Sequence, residues 1–117
     1  MRQRETRTVL AYWDALRGSR LAPLRSELDP GAIRSCLAQT FILTVDGAKG
    51  HPFRIAGTSI CAWFGTELVG TPFARLFDTA SQPALDDAVR AVTSGIAPHI
   101  GYLAGASDRH KTGLEML

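Results

Sequence analysis

The sequence predicts an α+β domain: an antiparallel sheet with short helices on one face and a separate helix at the N-terminus. Three observations lead there. Two pairs of alternating apolar segments, each pair joined by a Gly-containing turn, read as hairpins within residues 40–57 and 97–117. Between them the spacing is helical, and it is cut into short pieces at Gly57, Gly65 and Gly70. Grouped helices between hairpins exclude the strand–helix alternation of a parallel sheet. A chain of 117 residues with 45% apolar residues and nine aromatics has the length of one domain and enough core to fold without disulfides or metals.

Each element follows from its residues. Glu5 to Gly18 places Val9, Tyr12, Trp13 and Leu16 on one helical stripe, with Gly18 as the stop. A stripe so rich in aromatics must cover its own sheet or an equivalent helix of a second copy, so these four residues are the candidate dimer or partner interface. Residues 1–28 form this N-terminal helix and loop, and residues 29–117 the domain proper. Asp29 caps a short helix with Pro30 in its first position and Ile33 and Leu37 as its buried pair.

The first hairpin runs from Thr40 to Asp46, with Phe41, Leu43 and Val45 on one face, through Gly47–Gly50 to a strand from Pro52 to Gly57 with Phe53 and Ile55 inward. Three helical turns are expected next: Thr58 to Phe64, stopped by Gly65; Glu67-Leu68, ended by Gly70; and Thr71-Pro72, carrying Phe73, Leu76 and Phe77. Elements this short open more easily than long ones, which suits a ligand lid. Ser81 then caps a longer helix whose apolar side is Leu85, Ala88, Val89 and Val92, with Gly95 as its stop. Strands at Ala97–Ala104 and Arg109–Leu117, joined by Gly105–Asp108, complete the order.

Several phrases are similar to one family. Tyr12-Trp13-Asp14-Ala15-Leu16-Arg17-Gly18, Leu28-Asp29-Pro30, Ile33-Arg34-Ser35-Cys36-Leu37, and above all Phe53-Arg54-Ile55-Ala56-Gly57-Thr58 leading into Phe64-Gly65-Thr66-Glu67-Leu68-Val69-Gly70 resemble a bacterial family of mostly stand-alone PAS proteins. The resemblance covers nearly the whole chain and implies a PAS-like sheet whose inner face and short helices enclose a pocket. It implies a sensory or protein-interaction role in bacterial signal transduction, without catalysis. It also implies a further, central strand beyond Leu114-Glu115-Met116-Leu117, so residues 29–117 are expected to be a C-terminally incomplete PAS-like domain, or one whose gap a strand of another molecule fills.

Leu43, Phe53, Ile55, Ile60, Phe64, Leu68, Phe73, Phe77, Tyr102 and Leu114 are the candidate pocket lining, with Thr58 and Tyr102 as polar anchors. The competing reading is a filled core. No cofactor is specified by these residues.

Other chemistry is weaker. His51, His99 and His110 lack metal-ligand spacing, and His51, next to a turn, is expected to be exposed. Cys61 lacks the Asn-Cys-Arg-Phe-Leu phrase of flavin-binding light sensors and reads as a small buried hydrophobe. Asp86 and Asp87 read as helix-dipole charges, and Glu67 as a residue that bonds neighbouring backbone. No convergent set of residues supports a small enzyme with Glu67 or a histidine as base.

Charge adds one further class. Residues 1–25 hold six Arg against two acids, net +4, and the remainder is net −2. A nucleic-acid-associated regulator using this head is the alternative, disfavoured against a solvated, charged helix start. The charged start is not a secretory signal and no apolar run reaches membrane-spanning length, so a cytoplasmic location is expected, without membrane contact. The expected partners are a second copy through the N-terminal helix, a signalling protein and a small apolar ligand.

Overall fold

Asp46 and Gly50 set the geometry of the first hairpin. The Asp46 carboxylate accepts from the Lys49 N–H at 3.3 Å and its carbonyl accepts from His51 N–H at 2.9 Å, while Gly50 adopts the left-handed region at φ 71°. This is a tight 3₁₀ turn over Gly47–Lys49, which returns the chain antiparallel. The computed structural model describes residues 3–94, 101–106 and 111–117, with 102–106 and 111–115 described by their backbone.

The chain is α+β. Helix α1 spans Arg4–Arg17, a 3₁₀ segment follows at Pro30–Gln39, and strands β1 (Phe41–Leu43) and β2 (Phe53–Ala56) pair antiparallel. Helix α2 (Thr58–Phe64), a 3₁₀ turn (Phe73–Leu76) and helix α3 (Gln82–Thr93) come next. Strands β3 (Gly101–Ala106) and β4 (Lys111–Met116) form a second antiparallel pair, from Gly101 opposite Met116 to Ala106 opposite Lys111. Among the described residues the two hairpins are separate two-stranded sheets. Gly105 belongs to β3 rather than to the expected turn, and the expected strand start at Ala97 and the stop at Gly95 lie outside the described residues.

The register of the first hairpin corrects the sequence pattern. Leu43 faces Phe53, Ile42 faces Ile55 and Phe41 faces Ala56, so Arg54 is an extra residue on β2. A bulge moves every later side chain to the opposite face. Phe53 and Ala56 therefore share the core side with Phe41 and Leu43, while Ile55 points away and is 45% exposed. Val45, also expected inward, lies beyond the end of β1 and is 64% exposed.

The core is Phe53, Ile60, Leu68, Phe73 and Leu85, joined at its edges by Phe41, Leu43, Phe77, Val89 and Met116. Four phenylalanine rings, two buried and two at the edge, interlock across it. Phe53 lies edge-on to Phe41 at 5.7 Å and to Phe73 at 5.5 Å, and Phe77 lies edge-on to Phe73 at 5.1 Å, the arrangement ring quadrupoles favour.

Glycine placement defines the short helices. Gly18 and Gly65 end α1 and α2 at φ 60° and 69°. Gly57 acts differently: its φ is ordinary, but a side chain there would run into the Ala38 carbonyl and come within 2.6 Å of the Leu37 carbonyl oxygen. Only glycine lets the end of β2 close against the Pro30–Gln39 segment, where Gly57 N–H donates to Thr40 at 2.9 Å.

Three further expectations change. The 3₁₀ segment kinks at Ile33, so Cys36 is its buried residue and Leu37 is 38% exposed. Glu67-Leu68 starts no helical turn. The Glu67 carboxylate accepts from the Leu68 and Val69 amides at 3.1 and 3.3 Å, and the chain runs extended with Val69 bridged to Phe53. At α3, Ser81 makes no capping bond; Asp78 accepts from Ser81 N–H at 2.9 Å instead, and the Ser81 side-chain and backbone bonds hold its carboxyl below the usual range.

Candidate functional site

The expected pocket residues divide into two groups. Phe53, Ile60, Leu68 and Phe73 are buried against one another, with Leu43 and Phe77 packed on their edge. These six are brought together by β1, β2, α2, the extended segment holding Leu68, and the 3₁₀ turn with Phe77 just after it, and their rings interlock. Ile55 is displaced by the bulge. Phe64, the last residue of α2, is 44% exposed, and Thr58 at the start of α2 is exposed, its side chain forming no cap bond. The side chains of Tyr102 and Leu114 lie outside the described residues, as do His99 and His110.

The candidate interface helix docks on its own domain. None of its residues is fully buried, and Val9, Tyr12, Trp13 and Leu16 are all half-buried. The Tyr12 hydroxyl accepts from Asp29 N–H at 2.8 Å, fixing α1 against the start of the 3₁₀ segment. At its C-terminal end Arg17 pairs with Asp14 at 2.6 Å and lies over the Trp13 ring at 5.3 Å. Arg20 and Glu27 form a bidentate pair at 2.7 and 2.9 Å. That bond, with the Leu24 N–H, holds the Glu27 carboxyl at about 2 and raises Arg20. Two of the six arginines of the basic head thus have carboxylate partners, Arg17 with Asp14 and Arg20 with Glu27.

A cleft of about 350 Å³ opens between the β1–β2 connection and α3, lined by Val45, Gly47, His51, Asp86, Val89, Arg90 and Thr93. His51 is its one buried lining residue. The exposure expected for it is wrong: it is 8% exposed, because Asp46 folds back onto it and residues 71–74 run beside it. Its Nδ1 accepts from Asp46 N–H at 3.1 Å, and its carbonyl accepts from Phe73 N–H at 3.0 Å. Its φ of 57° makes it the one non-glycine residue in the left-handed region among the described residues. The only sequence signal for this was its place after an Asp-Gly turn.

Cys61 is half-buried rather than buried as expected, and its thiol donates to the Glu67 carboxylate at 3.6 Å. Among the described residues, no three His, Cys, Asp or Glu side chains converge as a metal site would require, and no helix is long and apolar enough to cross a membrane.

No curated protein and no solved structure matches the chain significantly. A family model described as PAS domain matches residues 1–117. Set beside the order of N-terminal helix, hairpin, short helices, connecting helix and second hairpin, that match means that the chain belongs to the PAS domain family.

Proposed function

We propose that this domain is a sensory and regulatory module of bacterial cytoplasmic signalling that acts by binding rather than by catalysis, with a second copy or a signalling protein met through α1. The observation that carries the reading is the family match over residues 1–117, since PAS domains are generally sensory. The half-buried stripe of α1 supports the interface: Val9, Trp13 and Leu16 keep apolar surface that the 3₁₀ segment does not cover. A small ligand would act by favouring one docking of α1 over another.

Light scattering on the purified chain tests the interface. Wild type should have twice the 12.6 kDa chain mass, and Trp13→Ala should shift it to the single mass. An unchanged mass in the variant removes α1 from the interface. Electrophoretic mobility of DNA at low salt separates the alternative: a shift lost on removal of residues 1–8 would transfer the role to the basic head.

A further inference from the structure

We propose that the cleft between the β1–β2 connection and α3 binds a small apolar α-amino acid, its carboxylate held by Arg90 and His51, its ammonium by Asp86, and its side chain on Val45 and Val89. The proposal goes beyond the regulatory reading and does not depend on α1.

His51 carries the argument. Its N–H, its carbonyl and its Nδ1 are each held by internal hydrogen bonds, to Asp46 O, Phe73 N and Asp46 N. With Nδ1 accepting, the ring proton resides on Nε2. Nε2 has no hydrogen-bond partner among the described residues, yet it is not a buried orphan either. His51 thus carries a fixed donor that keeps solvent access, and the residue lines the cleft while held in a backbone conformation that L residues rarely adopt.

The opposite wall supplies complementary groups. Asp86, Val89, Arg90 and Thr93 recur at the spacing of one helical face and line the same cleft. The Thr93 hydroxyl is engaged by the Val89 carbonyl at 2.9 Å. Asp86 has no ion-pair or hydrogen-bond partner among the described residues, and Arg90 has only a loose, solvent-exposed contact to Asp87 at 3.9 Å. One guanidinium, one carboxylate and one neutral N–H donor make a site of balanced charge. A simple carboxylate would meet Asp86, and a simple amine would meet Arg90; a molecule bearing both groups satisfies both. Val45 at 64% exposure gives its apolar part a surface to cover. The volume lies at the small end of the range for ligand sites.

Three probes separate the possibilities: L-leucine, 4-methylpentanoate, which lacks the amine, and 3-methylbutylamine, which lacks the carboxylate. Titration followed by amide and imidazole NMR shifts should show leucine binding with changes centred on residues 45–51 and 86–93, and both truncated probes should bind at least about tenfold more weakly. Arg90→Gln and Asp86→Asn, both at exposed positions, should each weaken leucine at least about tenfold without altering the melting curve. Absence of shifts up to about 10 mM leucine overturns the proposal, as does 4-methylpentanoate binding as well as leucine. None of these outcomes bears on the mass measured for Trp13→Ala, so the two readings fail separately.

Discussion

Replacing Gly57 with alanine tests the way β2 is closed against the Pro30–Gln39 segment. A methyl at this position would overlap the Ala38 carbonyl and lie 2.6 Å from the Leu37 carbonyl oxygen, where real side chains keep more than 3.0 Å. Both obstacles are backbone, so no rotamer change relieves them. The chain must separate, and overpacking of this kind costs about 1–3 kcal/mol. Separation also stretches the 2.9 Å bond from Gly57 N–H to Thr40 O, worth about 1 kcal/mol. The total is about 2–4 kcal/mol, a fall in Tm of about 10–20 °C for a domain of this size. Far-UV circular dichroism with urea and heat measures it. Gly65→Ala is the control: its φ is 69° with open space around the added methyl, so only left-handed strain of about 1–2 kcal/mol applies. A Gly57→Ala variant no less stable than Gly65→Ala would refute the close-approach argument.

Other outcomes follow from the same geometry. Leu68→Ala, at a residue 1% exposed, should destabilise by about 2–5 kcal/mol, and Phe73→Ala, at the centre of the ring cluster, by about 3–5 kcal/mol, both by urea unfolding. Ile55→Thr should change stability by less than about 0.5 kcal/mol, as at a surface site; a core-sized loss would return Ile55 to the inner face and remove the bulge. Because Glu27 falls from 4.5 to about 2 in the fold, its contribution to stability is complete above pH 4.5 and disappears as pH drops through 2. Carbon-detected NMR titration of Glu27 should show that low value in wild type and a return toward 4.5 in Arg20→Gln; an unchanged value would remove the ion pair as its cause.

Elements that depend on local chemistry were legible in the sequence. Gly18 and Gly65 end their helices where a left-handed residue is needed, and Asp29 followed by Pro30 starts the 3₁₀ segment with the Asp29 carboxylate accepting from Gly31 N–H at 2.9 Å. Six of the candidate pocket residues do meet, because apolar side chains at these spacings have one interior to enter. What escaped the pattern was set by contacts distant in sequence. Alternation assumes a period of two, and nothing in Phe53-Arg54-Ile55-Ala56 marks Arg54 as an inserted residue. His51 follows a turn, and turns read as surface; its burial depends on the chain around Phe73 returning beside it. Glu67-Leu68 has acceptable helix formers, but a carboxylate that bonds the next two amides favours the extended path instead.

The position of the two tryptophans has a practical result. Trp13 rests on α1 beside a guanidinium, and Trp63, 55% exposed, stands near the end of α2, so neither indole belongs to the phenylalanine centre. Intrinsic emission therefore monitors two peripheral helices rather than loss of the interior. A Trp63→Phe protein would leave a single tryptophan, on α1, and its selectively excited emission would turn undocking of that helix into an optical signal separable from global melting, with no label attached.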